Sequence, residues 1–202
     1  MSLLRIGRGR GRAYPESVTL SRSLSPESLR LRPATPADAG LLRRWDEEPH
    51  VIRAVTDDPG ASTAFVDADW DEELADASAV SFYLIAELDG RPIGAMQVID
   101  PHLEPTGYWG DIEPGLRALD IWIGPTDALG RGFGTQMMQQ ALDLCFADPA
   151  VHAVVIDPLN SNADAHRFYQ RLGFAPVGRR LFNDEDDCLV HRIARSDWEA
   201  RR

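Results

Sequence analysis

Three glycines within five residues mark the stretch whose chemistry is easiest to recognise. They alternate with larger residues in the segment Leu129-Gly130-Arg131-Gly132-Phe133-Gly134-Thr135. Glycine lets a ligand approach the backbone closely, and free N–H groups at the start of a helix attract anions. The segment therefore indicates a candidate pyrophosphate cradle. An ordinary glycine-rich turn before a helix would have the same spacing.

The elements around the glycines fit either interpretation. The preceding segment, Leu119–Gly124, is short and mostly apolar, as in a buried strand. After the glycines, Thr135–Phe146 carries apolar residues at helical spacing. We therefore predict a strand, a loop and a helix, with the candidate cradle at the helix start.

The spacing of the glycines excludes two common phosphate-binding loops. No Lys-Ser or Lys-Thr pair follows at the P-loop position, and the Gly-x-Gly-x-x-Gly pattern of dinucleotide-binding folds is absent. The segment resembles the Arg/Gln-x-x-Gly-x-Gly/Ala loop of the GNAT acetyltransferases, with Leu129 standing where that family has Gln or Arg. The resemblance implies that residues 129–135 bind the pyrophosphate of acetyl-CoA, mainly through main-chain N–H groups.

A second motif follows a predicted strand and opens a predicted helix at residues 157–174. It resembles the second GNAT signature, Asn-x-x-Ala-x-x-x-Tyr-x-x-x-Gly-Phe, with matches at Asn162, Ala165, Tyr169, Gly173 and Phe174. Because two separate motifs occur in the expected order, the chain is identified as resembling this family over about residues 29–195.

The resemblance also implies how acetyl-CoA is held. In that family the two central strands diverge, and the pantetheine arm lies between them, hydrogen-bonded to the first strand at positions that correspond to Trp122 and Ile123. Asn162, with Ala165 beside it, would contact the pantetheine or an ordered water. Tyr169 would be the general acid that protonates the leaving thiolate. A tyrosine packed in the core is the alternative for Tyr169.

The acceptor is indicated by the run Glu113-Pro114-Gly115-Leu116-Arg117-Ala118-Leu119-Asp120. This run resembles one in the aminoglycoside 6'-N-acetyltransferases, which also share an Asp-Pro start at Asp157 and a Trp and His pair like Trp45 and His50. A related branch, the siderophore hydroxylysine acyltransferases, has histidine in place of Asp120. Asp120 therefore favours the aminoglycoside branch.

These resemblances imply a direct reaction. Asp120 would pair with a cationic primary amine and accept its proton, while Asp157 would add a second negative charge, unless it caps the following turn. A main-chain amide of the central strand would stabilise the oxyanion. No motif places a cysteine for an acyl-enzyme, and no metal is expected.

A polar loop at residues 100–114, which we expect to be exposed to solvent, mixes aromatic rings with carboxylates. Glu104, Trp109 and Asp111 are its candidate substrate residues, because stacking and ion pairing together suit a cationic, ring-shaped ligand.

Other functions fit parts of this pattern. Siderophore or polyamine acylation would use the same donor site, as would acetylation of a protein N-terminus. A non-catalytic acyl-CoA-binding domain is a further alternative, although such a domain would need neither the base Asp120 nor the acid Tyr169.

The predicted element order is β-α-α-β-β-β-α-β-α-β-β. It implies an α/β (α+β) fold. By the resemblance, this is the GNAT fold, whose mixed, mostly antiparallel twisted sheet splays between its central strands and is flanked by about four helices. We expect one domain at residues 29–202. Residues 1–28, rich in Arg, Gly and Ser, read as a disordered or loosely attached extension.

Charge separates the chain into two parts. Residues 1–32 hold seven Arg and two Glu, a net charge of +5. Because the whole chain has a net charge of −11, the remainder has a net charge of −16. Such an acidic body argues against nucleic acid and favours a small cationic amine, although solubility alone would also explain it.

Location and assembly are predicted from what the sequence contains. It has no apolar run of about 18 residues and no secretory signal, so we expect a cytoplasmic protein without membrane contact. Cys145 and Cys188 should be reduced core thiols. We expect a monomer or weak dimer.

Overall fold

The computed structural model describes residues 29–66, 68–183 and 185–201. Residues 1–28, expected to form an extension, lie outside these ranges, so that expectation stays a prediction. Seven strands form one sheet: β1 (Leu29–Pro33), β2 (Ser81–Leu88), β3 (Arg91–Ile99), β4 (Leu116–Ile123), β5 (Ala153–Ile156), β6 (Ala175–Phe182) and β7 (Asp186–Ala194).

Six α-helices accompany the sheet within the described residues. They are α1 (Ala39–Asp46), α2 (Pro49–Val55), α3 (Trp70–Ala75), α4 (Phe133–Ala147), α5 (Ala163–Leu172) and α6 (Arg195–Glu199). Proline occupies the first turn of α2, where its fixed φ and missing N–H cost nothing. The sequence predicted about four helices because α2 and α6 are too short to show a clear apolar period. None of the helices described is long and apolar enough to cross a membrane.

The strand order is β1-β2-β3-β4-β5-β7-β6, and only the β4–β5 pair is parallel. The predicted mixed, mostly antiparallel sheet is therefore confirmed. The Asp89-Gly90 turn joins β2 to β3 with both residues at positive φ, the geometry of a tight hairpin.

The sheet opens between its two central strands. β3 pairs with β4 along residues 118–123, whereas β5 pairs with β4 only at residues 116–118. Beyond Ala118, one edge of β4 therefore has no neighbouring strand among the seven that the structure describes. This confirms the predicted splay.

Two hydrophobic clusters fix the flanks of this gap. On one face, α4 buries Met137, Met138, Ala141 and Leu142 against the sheet. On the other, α1 to α3 pack around Trp70 and Trp122. Because helices hold β4 from both faces, the gap beside it is a fixed feature of the fold.

The two cysteines are buried free thiols, as predicted. Burial raises the pKa of both Cys145 and Cys188 to about 12. Both thiols are therefore protonated at neutral pH, and neither is poised as a nucleophile.

Candidate active site

The glycine segment forms an open cradle at the start of α4. Gly132 is the N-cap residue at φ 80°, and Gly130 lies at φ 70°. A Cβ at either position would meet nothing within 4 Å, so it is the backbone conformation that demands glycine there. Among the described residues, the N–H groups of residues 130–134 have no main-chain partner. These free donors at a helix N-terminus suit a diphosphate.

Gly134 has a different environment from the other two. A Cβ there would lie 3.5 Å from the ring of Phe168 on α5, an ordinary van der Waals contact. The first turn of α4 therefore packs close to the middle of α5, and a branched side chain at this position would push Phe168 toward the cleft.

The exposed edge of β4 presents particular main-chain groups to the gap. Gly124 N–H donates to Ile93 O at 3.1 Å. Because hydrogen-bonded positions alternate along an antiparallel pair, Trp122 also directs its main chain to β3, and Ile121 and Ile123 direct theirs to the gap. The expected main-chain bond at Ile123 fits this geometry. The one expected at Trp122 does not, because the main chain of Trp122 faces β3, whereas that of Ile121 faces the gap.

A cleft of about 620 Å³ follows this edge. Its walls come from α2, β4, the glycine segment and α5. The predicted cofactor residues that line it are Trp122, Ile123, Leu129, Gly130, Gly134, Asn162 and Ala165. Arg131, Gly132, Phe133 and Thr135 are not part of the lining. Phe133 buries its side chain in the core, so it could contribute only its amide.

Helix α5 begins at the cleft and positions Tyr169. Asn162 is its N-cap, and the side-chain oxygen accepts from Ala165 N–H at 3.0 Å. The side-chain nitrogen of Asn162 donates to Ala54 O at 3.5 Å, so one N–H of that amide is left to contact a ligand. Gly173 ends the helix in a left-handed conformation. Tyr169 is 6% exposed and lines the cleft.

Asp120 and Asp157 are buried near Tyr169, with 8% and 3% of their surfaces exposed. Burial raises the pKa of Asp120 well above its usual range, and the negative charge of Asp157 raises it further. The pKa of Tyr169 is also raised, mainly by burial and to a smaller extent by the negative charges of Asp120 and Asp157. Tyr169 lines the cleft, whereas Asp120 and Asp157 are not part of its lining but are close enough for their charges to act on the Tyr169 hydroxyl. Neighbouring titratable groups with raised pKa values are typical of a catalytic site.

Tyr108 distinguishes the two carboxylates. Burial raises the pKa of Asp157, and the hydrogen bond that the Tyr108 hydroxyl donates to it at 2.6 Å opposes that rise. No such side-chain donor reaches Asp120 among the described residues. The bond occupies the Asp157 side chain, and no contact shows it capping the following turn.

Two further residues on this face had no signal in the motifs. Gln97 lies directly opposite Asp120 on β3, donates to Ser81 Oγ at 2.9 Å, and leaves its buried side-chain oxygen without a partner. Tyr83 lies opposite Gln97 and donates to Glu73 at 3.1 Å. A lone Gln in an otherwise apolar strand could have identified the first of these.

The predicted substrate residues divide into several groups. His50 lines the cleft, where its Nε2–H donates to Ile123 O at 2.8 Å and so occupies a carbonyl at the gap. Trp45 is 5% exposed, and its ring fills the space that a side chain at Gly124 would need. The structure therefore gives Trp45 a packing role.

The loop at residues 100–114 is less exposed than predicted. Trp109 and Glu104 are 2% and 6% exposed, and Trp109 packs against Phe182. The expectation that this loop presents both side chains to solvent is wrong, because the aromatic side chains of the loop join the core cluster beside β6 and β7. Asp111 is exposed, as expected. The described residues contain no group of His, Cys, Asp or Glu that could hold a metal ion.

Comparisons with known proteins agree with this geometry. Residues 34–182 match the family model for the acetyltransferase (GNAT) domain. The chain is 31% identical to an aminoglycoside N(6')-acetyltransferase type 1 from Klebsiella pneumoniae over 160 residues, covering 76% of this chain and 77% of that protein. It is equally similar to one from Serratia marcescens.

Among solved structures, the aminoglycoside acetyltransferase AAC(6')-Ib in complex with coenzyme A and kanamycin superposes with a TM-score of 0.73 at 28% identity. The match covers 86% of this chain and 98% of that chain. The splayed strands, the glycine cradle and the family match lead to one conclusion: this chain is an acetyltransferase of the GNAT family, similar to the aminoglycoside N(6')-acetyltransferases.

Proposed function

We propose that this protein transfers an acetyl group from acetyl-CoA to the 6'-amine of an aminoglycoside. The observation that carries the proposal is the convergence of Asp120, Asp157 and Tyr169 at the open edge of β4. An acid and two carboxylates at that place suit a cationic amine that must lose a proton as a thiolate gains one.

The donor site fits acetyl-CoA, which would supply the activated thioester. The free N–H groups of residues 130–134 would hold its diphosphate, and the gap beside β4 is lined by Ile121 and Ile123, which would hold its pantetheine arm. These contacts to the cofactor use main-chain atoms. They are therefore kept even though Leu129 stands at the first motif position, where the family has Gln or Arg.

The acceptor site fits an ammonium group. Each carboxylate at about 4 Å would contribute about 4 kcal/mol of attraction at an effective dielectric near 20, before desolvation is subtracted. The raised pKa of Asp120 makes it a stronger base than an exposed carboxylate, and the charge of a bound ammonium favours the anionic form that accepts the proton. Because Tyr108 stabilises the anionic form of Asp157, the proton taken from the amine goes to Asp120.

The remaining proton comes from Tyr169. As the amine nitrogen bonds to the carbonyl carbon, the carbon–sulfur bond breaks and the thiolate takes the Tyr169 hydroxyl proton. The second proton that the nitrogen loses as it becomes an amide restores the Tyr169 hydroxyl. The raised pKa of Tyr169 keeps its hydroxyl protonated at neutral pH, so the donor form is present when the thiolate forms. A main-chain amide at the open edge of β4 would stabilise the developing oxyanion.

The site would work in the cytoplasm, because that compartment supplies acetyl-CoA. We expect the active unit to be a monomer or weak dimer, since every group used in this mechanism comes from one chain.

The experiment that tests the proposal follows thiol release from acetyl-CoA with kanamycin, tobramycin, spermidine, N-hydroxylysine and a short peptide. Aminoglycosides should give the highest kcat/KM, and mass spectrometry with NMR should place the new acetyl group on the 6'-nitrogen. Turnover only with N-hydroxylysine or spermidine would mean that the enzyme acylates a siderophore precursor or a polyamine. That result would overturn the proposed acceptor.

A further inference from the structure

Two arginines lie on the α5 wall of the cleft, in a chain whose body is strongly acidic. Arg167 and Arg171 are one helical turn apart, both exposed and both part of the lining. Phe168, which meets the first turn of α4 at Gly134, lies between them in sequence. The pair therefore flanks the place where α5 approaches the glycine cradle.

The two arginines differ in their partners. Arg167 forms an ion pair with Asp164, one turn earlier on the same helix. Arg171 makes no ion pair or side-chain hydrogen bond among the described residues. An arginine at the cleft without a carboxylate partner has its full set of donors available to a ligand.

We propose that Arg171 recognises the ribose 3'-phosphate of the cofactor and makes the enzyme select coenzyme A over its dephosphorylated form. The inference rests on the cofactor and not on the proposed acceptor. A cationic acceptor would be repelled by Arg171, so an anionic group is the ligand that fits it.

The 3'-phosphate fits Arg171 better than the diphosphate does. The diphosphate already has the main-chain donors of residues 130–134 in the cradle. The 3'-phosphate is a terminal monoester with three free oxygens, which a planar guanidinium can bind through two parallel hydrogen bonds. Because the surrounding body repels anions, one unpaired arginine has a large effect on where a phosphate binds.

The test is a double-mutant cycle between residue and ligand, read by calorimetric titration without acceptor. Coenzyme A and dephospho-coenzyme A are each titrated into the parent, Arg171→Gln and the control Arg44→Gln. Arg44 is an exposed arginine on α1, outside the cleft, and its replacement changes the net charge identically. Gln keeps good helix propensity at both positions.

Loss of one charge-assisted contact predicts about a ten-fold weaker Kd for coenzyme A in Arg171→Gln. Dephospho-coenzyme A should bind parent and variant within about two-fold. Arg171→Lys should recover part of the preference, and Arg167→Gln should lose less because Asp164 already engages that guanidinium. The control should keep the parental preference.

Two results would overturn the inference. Equal weakening of both ligands would assign Arg171 to the diphosphate, and unchanged binding of both would remove it from the cofactor site. A protein that binds coenzyme A with the predicted preference but acetylates no aminoglycoside would refute the proposed acceptor alone.

Discussion

The donor and acceptor halves of this site bind their ligands through different kinds of group. The donor half uses main-chain groups, namely the free amides of residues 130–134 and the open edge of β4. The acceptor half uses charged side chains, Asp120 and Asp157, brought together from two strands. A side-chain substitution can therefore remove acceptor binding while leaving the donor site intact, whereas binding of the diphosphate and the pantetheine arm is damaged only by changes that alter the backbone or block access to it.

The largest effect is expected for Asp120→Asn. The variant is nearly isosteric but loses the negative charge and the basicity, so kcat/KM for an aminoglycoside should fall by about 100- to 10,000-fold. Binding of coenzyme A, measured by titration, should stay within about two-fold. Full activity on every aminoglycoside would move the base to Asp157.

The next effect is expected for Tyr169→Phe, which keeps the ring packed and removes only the hydroxyl. We predict a fall in kcat of about 10- to 1,000-fold with an almost unchanged melting temperature. The measurement is steady-state thiol release beside a thermal melt. Parental turnover would mean that water protonates the thiolate.

A smaller effect is expected in the donor half from Gly134→Val. Its branched side chain would displace Phe168 and narrow the cleft, so the KM for acetyl-CoA should rise by about ten-fold. Gly134→Ala is the matched control, because a Cβ alone makes an ordinary contact there. Leu129→Gln should change little. Normal cofactor binding by the valine variant would refute the cradle assignment.

The smallest effect concerns stability and pH. Burial raises the pKa of Asp120, so between its unfolded and folded pKa values the native state holds a proton that the unfolded state has lost. Stability contributed by this group is complete below the unfolded pKa and is lost as pH rises. Asp120→Asn does not titrate, so its melting temperature relative to the parent should rise by a few degrees between about pH 5 and pH 8. A constant difference across that range would mean that Asp120 ionises normally.

The same division explains what the sequence could predict. Gly130, Gly132 and Gly134 lie within five consecutive residues, so a main-chain cradle leaves a local pattern. The order of strands and long helices along the chain followed from periodicity, and the mixed, mostly antiparallel sheet followed from the resemblance carried by the two motifs. The burial of Trp45 and Trp109 was missed, because the aromatic content of a segment does not say which cluster the rings will join.

The acceptor half was harder to predict because its contacts are distant in sequence. The hydrogen bond from Tyr108 to Asp157 spans 49 positions. Gln97 lies opposite Asp120 because of the way β3 is aligned with β4 in the sheet. The resemblance named Asp120 and Asp157, but only the fold shows that Tyr108 donates a hydrogen bond to Asp157.

The central claim is that side-chain charges bind the acceptor while main-chain groups bind the donor. Its most direct test is a titration of the double variant Asp120→Asn, Asp157→Asn with kanamycin and, separately, with coenzyme A. The parent should bind kanamycin less tightly as salt is raised, because the attraction is between charges. The double variant should lose most of its kanamycin affinity and nearly all of that salt dependence, while its affinity for coenzyme A stays within about two-fold of the parent. Kanamycin binding at parental strength, or a parallel loss of coenzyme A binding, would contradict the account.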